Sequence, residues 1–165
     1  QHYIKDDDPK RIAHLLSPHM GGLGIDPAQG PDLTKVAEAH QERARTLVEM
    51  AEMSTFCYQD YDEFEEKAAK KHLRGVAREP LEKMREALSA LDDWQEEALH
   101  SVVEQVSASL ELKMGKVAQP LRVAVVGRAA SPGIDTTLFL VGKEACLRRI
   151  DKALDYITQR EAAAG

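Results

Sequence analysis

The chain has 165 residues, a formal net charge of −6, 43% hydrophobic and 30% charged residues, and few aromatics: 3 Phe, 4 Tyr and 1 Trp. Apolar content carried by Ala, Leu and Val at this length fits a helical protein with a buried core; no run approaches the roughly eighteen apolar residues of a membrane span, and QHYIKDDDPK lacks the order of a secretory signal. Two distant cysteines, Cys57 and Cys146, exclude a disulfide scaffold, so both read as free thiols of a cytoplasmic protein.

Taken in chain order, DDDPKRIAHLL predicts a helix that starts at acidic caps and Pro9, lines up Ile12, Leu15 and Leu16, and ends at Pro18. MGGLGIDPAQGP reads as a linker, because its glycines match neither GxGxxG nor GK[ST] and follow no strand. From Pro31 to Tyr58 the spacing predicts one long helix. Leu33, Val36, Ala37, His40, Ala44, Leu47, Val48 and Ala51 recur at three and four residues behind an Asp32 cap. Arg43 and Arg45 flank Ala44 and so cannot share a helix face.

DYDEFEEKAAKKHLRG is a charged helix, acidic first and basic last, closed by Gly75. Its Lys67, Lys70, Lys71 and Arg74 suit either a nucleic-acid contact or the negative end of the helix dipole. REPLEKMREALSALDDWQEEALHSVVEQVSASLEL predicts two helices divided near Asp92 and Asp93, the second with an acidic cap. Trp94, in its first turn, reads as core rather than as a base-stacking platform. Residues 117–126, VAQPLRVAVV, fit a strand or a buried helix, and the residue pattern leans to strand. Cys146, Leu147, Ile150, Ala153, Leu154 and Ile157 then make a helical stripe, surrounded by Lys143, Arg148, Arg149 and Lys152.

No nucleophile elbow, HExxH, paired Cys-His pattern or nucleotide loop occurs, so catalytic residues are not expected. His14 and His19 sit on different helix faces, and no metal site is expected either. Charge is uneven: residues 1–111 carry 13 Lys+Arg against 23 Asp+Glu, residues 112–165 carry 9 against 5. The C-terminal third is therefore where a polyanionic partner would bind.

KMGKVAQPLRVAVVGRAASPGI followed by LVGKEACLRRIDKAL resembles the C-terminal region of bacterial glutamyl-tRNA synthetases, class I enzymes whose pattern there is approximately GKVAQPLRxAxTG, then SPG or TPG, then LGKExxLxRL. ERARTLVEMAEMSTFCY and DDWQEEALHSVV resemble two upstream helices of that family, and QHYIKDDDP its junction after the catalytic and stem-contact portions. The resemblance covers essentially the whole chain.

It implies an all-α anticodon-binding region of two helical subdomains, residues 1–67 and 68–165, without the catalytic Rossmann portion. QPLRVAVVG would then be helical, against the strand lean. The implied partner is tRNA(Glu); no membrane or DNA partner is implied, and a monomer is expected. The fragment itself would be inactive and need no cofactor, while its parent would use ATP and Mg2+ to attach glutamate in two steps. The carried-over anticodon contacts are Arg122 of QPLR and the turn Ser131, Pro132 and Gly133 with Ile134. Asp135 stands where the family often has an aromatic residue; an acid there suits a hydrogen bond from a cytosine amino group. In the first subdomain, the arginine that reads the third anticodon base in members specific for glutamate tRNA falls on Arg43, through RARTL. A helical protein-interaction module is the alternative reading.

Overall fold

Asp8 opens the first helix as its sequence predicts, its carboxylate accepting the Lys10 N–H at 3.0 Å just ahead of Pro9. The computed structural model describes residues 7–164, so most of the QHYIKDDDP junction lies outside the described residues. Helix α1 spans Pro9–Gly22 and passes through Pro18 instead of ending there. Pro18 lies on the exposed face, while Leu16 and Met20 are fully buried on the other, and that burial carries the helix over the missing hydrogen bond.

The long helix expected from Pro31 is broken into α2, Leu33–His40, and α3, Leu47–Met53. The periodicity continues across the gap, but TLVE restarts the helix. The Thr46 hydroxyl accepts the Glu49 N–H at 3.0 Å, and the Glu49 carboxylate accepts the Arg45 N–H at 3.3 Å, a variant of the capping box. With α1, these helices bury Ile12, Leu16, Met20, Ala37, Ala44 and Met50 in one core, within a first compact unit that ends at Asp60.

His40 closes α2 and is buried, its Nδ1 lying 3.0 Å from the Val36 carbonyl oxygen. Burial holds its imidazole below the ordinary histidine range, opposed by the Val36 hydrogen bond and reinforced by the Arg43 charge. The folded state thus binds a proton less readily than the unfolded chain. Stability is full above the unfolded pKa of about 6.5 and declines as pH falls from there toward the folded value. Thermal melts should show the wild type losing more stability than His40→Gln on acidification through that window; parallel curves would contradict it.

The second compact unit begins at Tyr61. It contains α4 (Glu66–His72), α5 (Arg78–Ala90), α6 (Glu96–Ser109), α7 (Met114–Val126), α8 (Ile134–Val141) and α9 (Lys143–Ala164). Among the described residues there is no strand, so the fold is all-α. The strand lean at 117–126 fails because α7 is central: it packs against α4, α5, α6, α8 and α9 and is buried nearly all round. A helix apolar on every side carries no 3.6-residue signal.

Smaller corrections have equally local causes. Helix α4 stops at His72, short of Gly75, where Arg160 of α9 donates to the carbonyls of Ala69, Lys70 and Leu73 at 3.0, 3.3 and 3.2 Å. Gln95, not an acid, is the N-cap of α6 and gives it no side-chain hydrogen bond. Trp94 precedes that helix, half-buried, its indole N–H donating to Leu138 O at 3.0 Å. Neither cysteine forms a disulfide and both are buried; burial pushes the Cys146 thiol up to about 12 against the pull of Arg149, which leaves almost no reactive thiolate. No helix of the described residues is long and apolar enough to cross a membrane.

Candidate nucleic-acid interface

Whatever Arg122 does depends on how firmly α7 is held, and its C-terminal end is tied from three directions. Gly127 takes the left-handed conformation, φ 88°, that closes a helix, its N–H donating to Val123 O at 2.8 Å. The carbonyl of Gly127 accepts the Glu65 N–H at 2.8 Å. The Tyr61 hydroxyl donates to the Ala124 carbonyl, and the buried Arg149 donates to Val125 O at 2.7 Å. Carbonyls that a helix end normally leaves to water are thus satisfied inside the protein.

One and a half turns back along α7, half-buried Arg122 reaches the loop before α8. Its Nε donates to Ser131 Oγ at 2.8 Å, and a terminal nitrogen lies 3.5 Å from Pro132 O. Thr137 completes the arrangement: its hydroxyl donates to Pro132 O at 2.9 Å and lies 3.0 Å from Ser131 Oγ, and its N–H donates to Gly133 O at 2.8 Å. Pro132 and Ile134 are buried and fix the turn from within, whereas Gly133 is exposed. Asp135, half-buried in the first turn of α8, is placed where the helix dipole favours an acid. The geometry joins Arg122, Ser131, Pro132 and Gly133 in one constellation and sends Ile134 into the core.

A guanidinium secured at Nε keeps a planar fork of N–H donors in a defined orientation. Such a fork can hydrogen-bond a base edge or a phosphate and can stack on a base. Beside it, Gly133 removes the side chain that would keep a ligand off the backbone.

Arg43 belongs to the first unit and stands in the turn between α2 and α3, not on a helix. Its N–H donates to His40 O at 3.1 Å, buried Ala44 anchors the turn, and both Arg43 and Arg45 are exposed. The argument that they must face different ways therefore lapses with the helix it assumed.

Two features escaped the sequence reading. Thr137 was unmarked, although a Thr on the first turn after Ser-Pro-Gly is a ready partner for that turn. The other is a cleft of about 500 Å3 in the second unit, lined among others by Lys71, His72, Arg74, Lys113, Lys116 and Gln119, and by no carboxylate. Half of its signal was visible as the basic end of α4. The other half is the set of polar residues that interrupt α7 at three-residue spacing, Lys116, Gln119 and Arg122. No cluster of three or more His, Cys, Asp or Glu side chains among the described residues is arranged to hold a metal ion.

Comparison with known proteins points the same way. The family model described as anticodon binding domain matches residues 11–154. Glutamate–tRNA ligase 1 of Alkalilimnicola ehrlichii is 51% identical over 98% of the chain, which spans 34% of that relative's length. A crystal structure of a glutamate tRNA ligase from Elizabethkingia meningosepticum, in complex with its amino acid, superposes with a TM-score of 0.84 at 24% identity, covering 94% of this chain and 30% of that one. A glutamate-tRNA synthetase structure from Elizabethkingia anophelis gives 0.78 at 24% identity, covering 93% and 30%.

Proposed function

Because the chain belongs to the anticodon binding domain family, we propose that it grips the anticodon loop of tRNA(Glu) as the C-terminal part of a glutamate–tRNA ligase. The observation that carries this reading is the Arg122–Ser131–Pro132 constellation on an anchored helix. In it Arg122, Ser131 and Gly133 meet the loop, while Pro132 and Ile134 hold the turn in shape. Arg43, exposed on its own turn, reads the third anticodon base. The two compact units serve as the two anticodon-binding subdomains.

Unpaired loop bases suit this chemistry, since splayed bases expose edges to hydrogen bonds and faces to stacking, and the partner is tRNA rather than DNA. The complete enzyme would draw on ATP and Mg2+ to attach glutamate. This chain's own residues bind and orient the tRNA; the side chains of the described residues offer no cluster fit for a metal ion, and by itself it transfers no glutamate. It acts in the cytoplasm as a monomer. The competing idea of a helical protein-interaction module gives the Ser-Pro-Gly constellation no task.

A low-salt fluorescence titration of tRNA(Glu) against tRNA(Gln) tests the reading. The wild type should prefer tRNA(Glu). Arg122→Ala should weaken binding of both by about 1–3 kcal/mol, and Arg43→Gln should relax the preference while sparing most of the affinity. Affinity should fall steeply with added salt as phosphate contacts release counterions. Equal, salt-insensitive binding of both tRNAs, untouched by either substitution, would sink it.

A further inference from the structure

The cleft between α4 and α7 gathers four basic side chains with no carboxylate among its lining. Lys71 and Arg74 come from the end of α4 and the residues after it, Lys113 and Lys116 from the start of α7. Like charges brought together in a concavity repel one another and create a strong positive field, which a polyanion relieves. The start of α7 adds to that field. Its N-cap, Lys113, makes no side-chain hydrogen bond to the helix, and nothing lies within 4 Å of where a side chain on Gly115 would begin. The Lys116 N–H already donates to Lys113 O at 2.9 Å, which leaves the Met114 and Gly115 N–H groups of the first turn for an anion to use.

We propose that this cleft seats the phosphodiester backbone of RNA, and that His72, at its edge, takes up a proton when the backbone arrives. The partner class rests on the function proposed above; neither Arg122 nor the Ser-Pro-Gly turn lines the cleft, although the Arg122 charge reaches His72. Burial holds the His72 imidazole below its ordinary range, and Lys71, Arg74, Arg122 and Lys116 push it the same way. The charges that act on it are all cationic. Lys113 and Lys116 line the cleft from the start of α7, Arg122 acts on His72 from farther along that helix, Lys70 and Lys71 precede His72 on its own helix, and Arg160 of α9 is spent on the α4 carbonyls. Glu161, beside Gly75, is paired with Arg78 at 2.6 Å. A phosphate in the cleft reverses the balance of charge, so the imidazolium becomes the favoured form and serves as one more donor.

Binding should accordingly strengthen as pH falls from about 8 to about 6. The test is fluorescence anisotropy with two short RNA stem-loops, one carrying the glutamate anticodon loop and one an unrelated loop, at several pH values and salt concentrations. The double variant Lys113→Ala/Lys116→Ala should weaken both stem-loops alike, about tenfold or more, and flatten the salt dependence by about two phosphate contacts. His72→Gln should bind with little pH dependence, and Trp94 fluorescence checks that each variant is folded. Variants that bind like the wild type at every pH, or a wild type that binds neither RNA, overturn the proposal. If both stem-loops bind equally and both need the cleft, anticodon reading falls and this inference stands. If loop preference persists while cleft variants are silent, the reverse holds.

Discussion

Gly127→Ala should destabilise the second unit by about 2–4 kcal/mol, with two costs acting together. At φ 88° an added Cβ is strained by its own backbone. It would also stand 2.8 Å from Tyr61 Cγ, 3.0 Å from Cδ2 and 3.1 Å from Cδ1. That ring has little room to retreat. Its hydroxyl is bound to the Ala124 carbonyl, and the Lys152 ammonium lies 4.5 Å from its centroid. Urea unfolding followed by Trp94, the single tryptophan, reports on this unit directly. Gly115→Ala is the control, because nothing lies within 4 Å of its Cβ at the other end of the same helix, and it should be neutral or slightly stabilising. A midpoint for Gly127→Ala indistinguishable from the control would show that the Tyr61 contact does not restrain the cap.

Arg149→Met should cost a similar amount, about 2–4 kcal/mol, for a different reason. Arg149 is 4% exposed and its guanidinium donates to Val125 O at 2.7 Å, beside the Tyr61 ring at 5.8 Å. Methionine replaces much of the volume but offers no donor. The Val125 carbonyl would then be left dry and unpaired, which is the expensive way to lose a hydrogen bond. Arg149→Lys should recover only part of the loss, since a single flexible ammonium cannot reproduce a planar fork in a buried site. The same urea titrations decide it. Because α7 also carries Arg122, the Met variant should lose RNA affinity along with stability. Full RNA affinity in an unfolding-prone variant would separate the anchor from the binding surface.

These two residues show where sequence reading stops. Gly127 follows an apolar run and invites the role of helix stop, but its crowding by Tyr61, 66 residues earlier, has no local trace. Arg149 looks in the sequence like one more member of a basic surround. Only the fold turns it inward, to a carbonyl 24 residues away. The helices themselves were largely legible wherever one face is apolar and the other polar, as in α5, α6 and α9. Legibility failed at both extremes. Helix α7 is buried nearly all round apart from a narrow polar stripe at Lys116, Gln119 and Arg122 and resembled a strand, while α2 and α3 share one apolar stripe that hid the restart at Thr46. Arg122 and the Ser-Pro-Gly turn drew attention through family resemblance, but their hydrogen-bond network belongs to tertiary structure. The basic cleft was harder still, since Lys71 and Lys113 meet only after α4 and α7 have packed.

The brace from Arg160 to the end of α4 spans 87 to 91 residues of sequence. A contact of that separation forms only after loop entropy has been overcome, so helix pairs closer in sequence assemble first. During ribosomal synthesis the lysines of α4 emerge long before the arginine that orients the backbone beneath them. A chain part-way through translation carries the charge of the cleft without its shape, and acquires the second only as α9 docks.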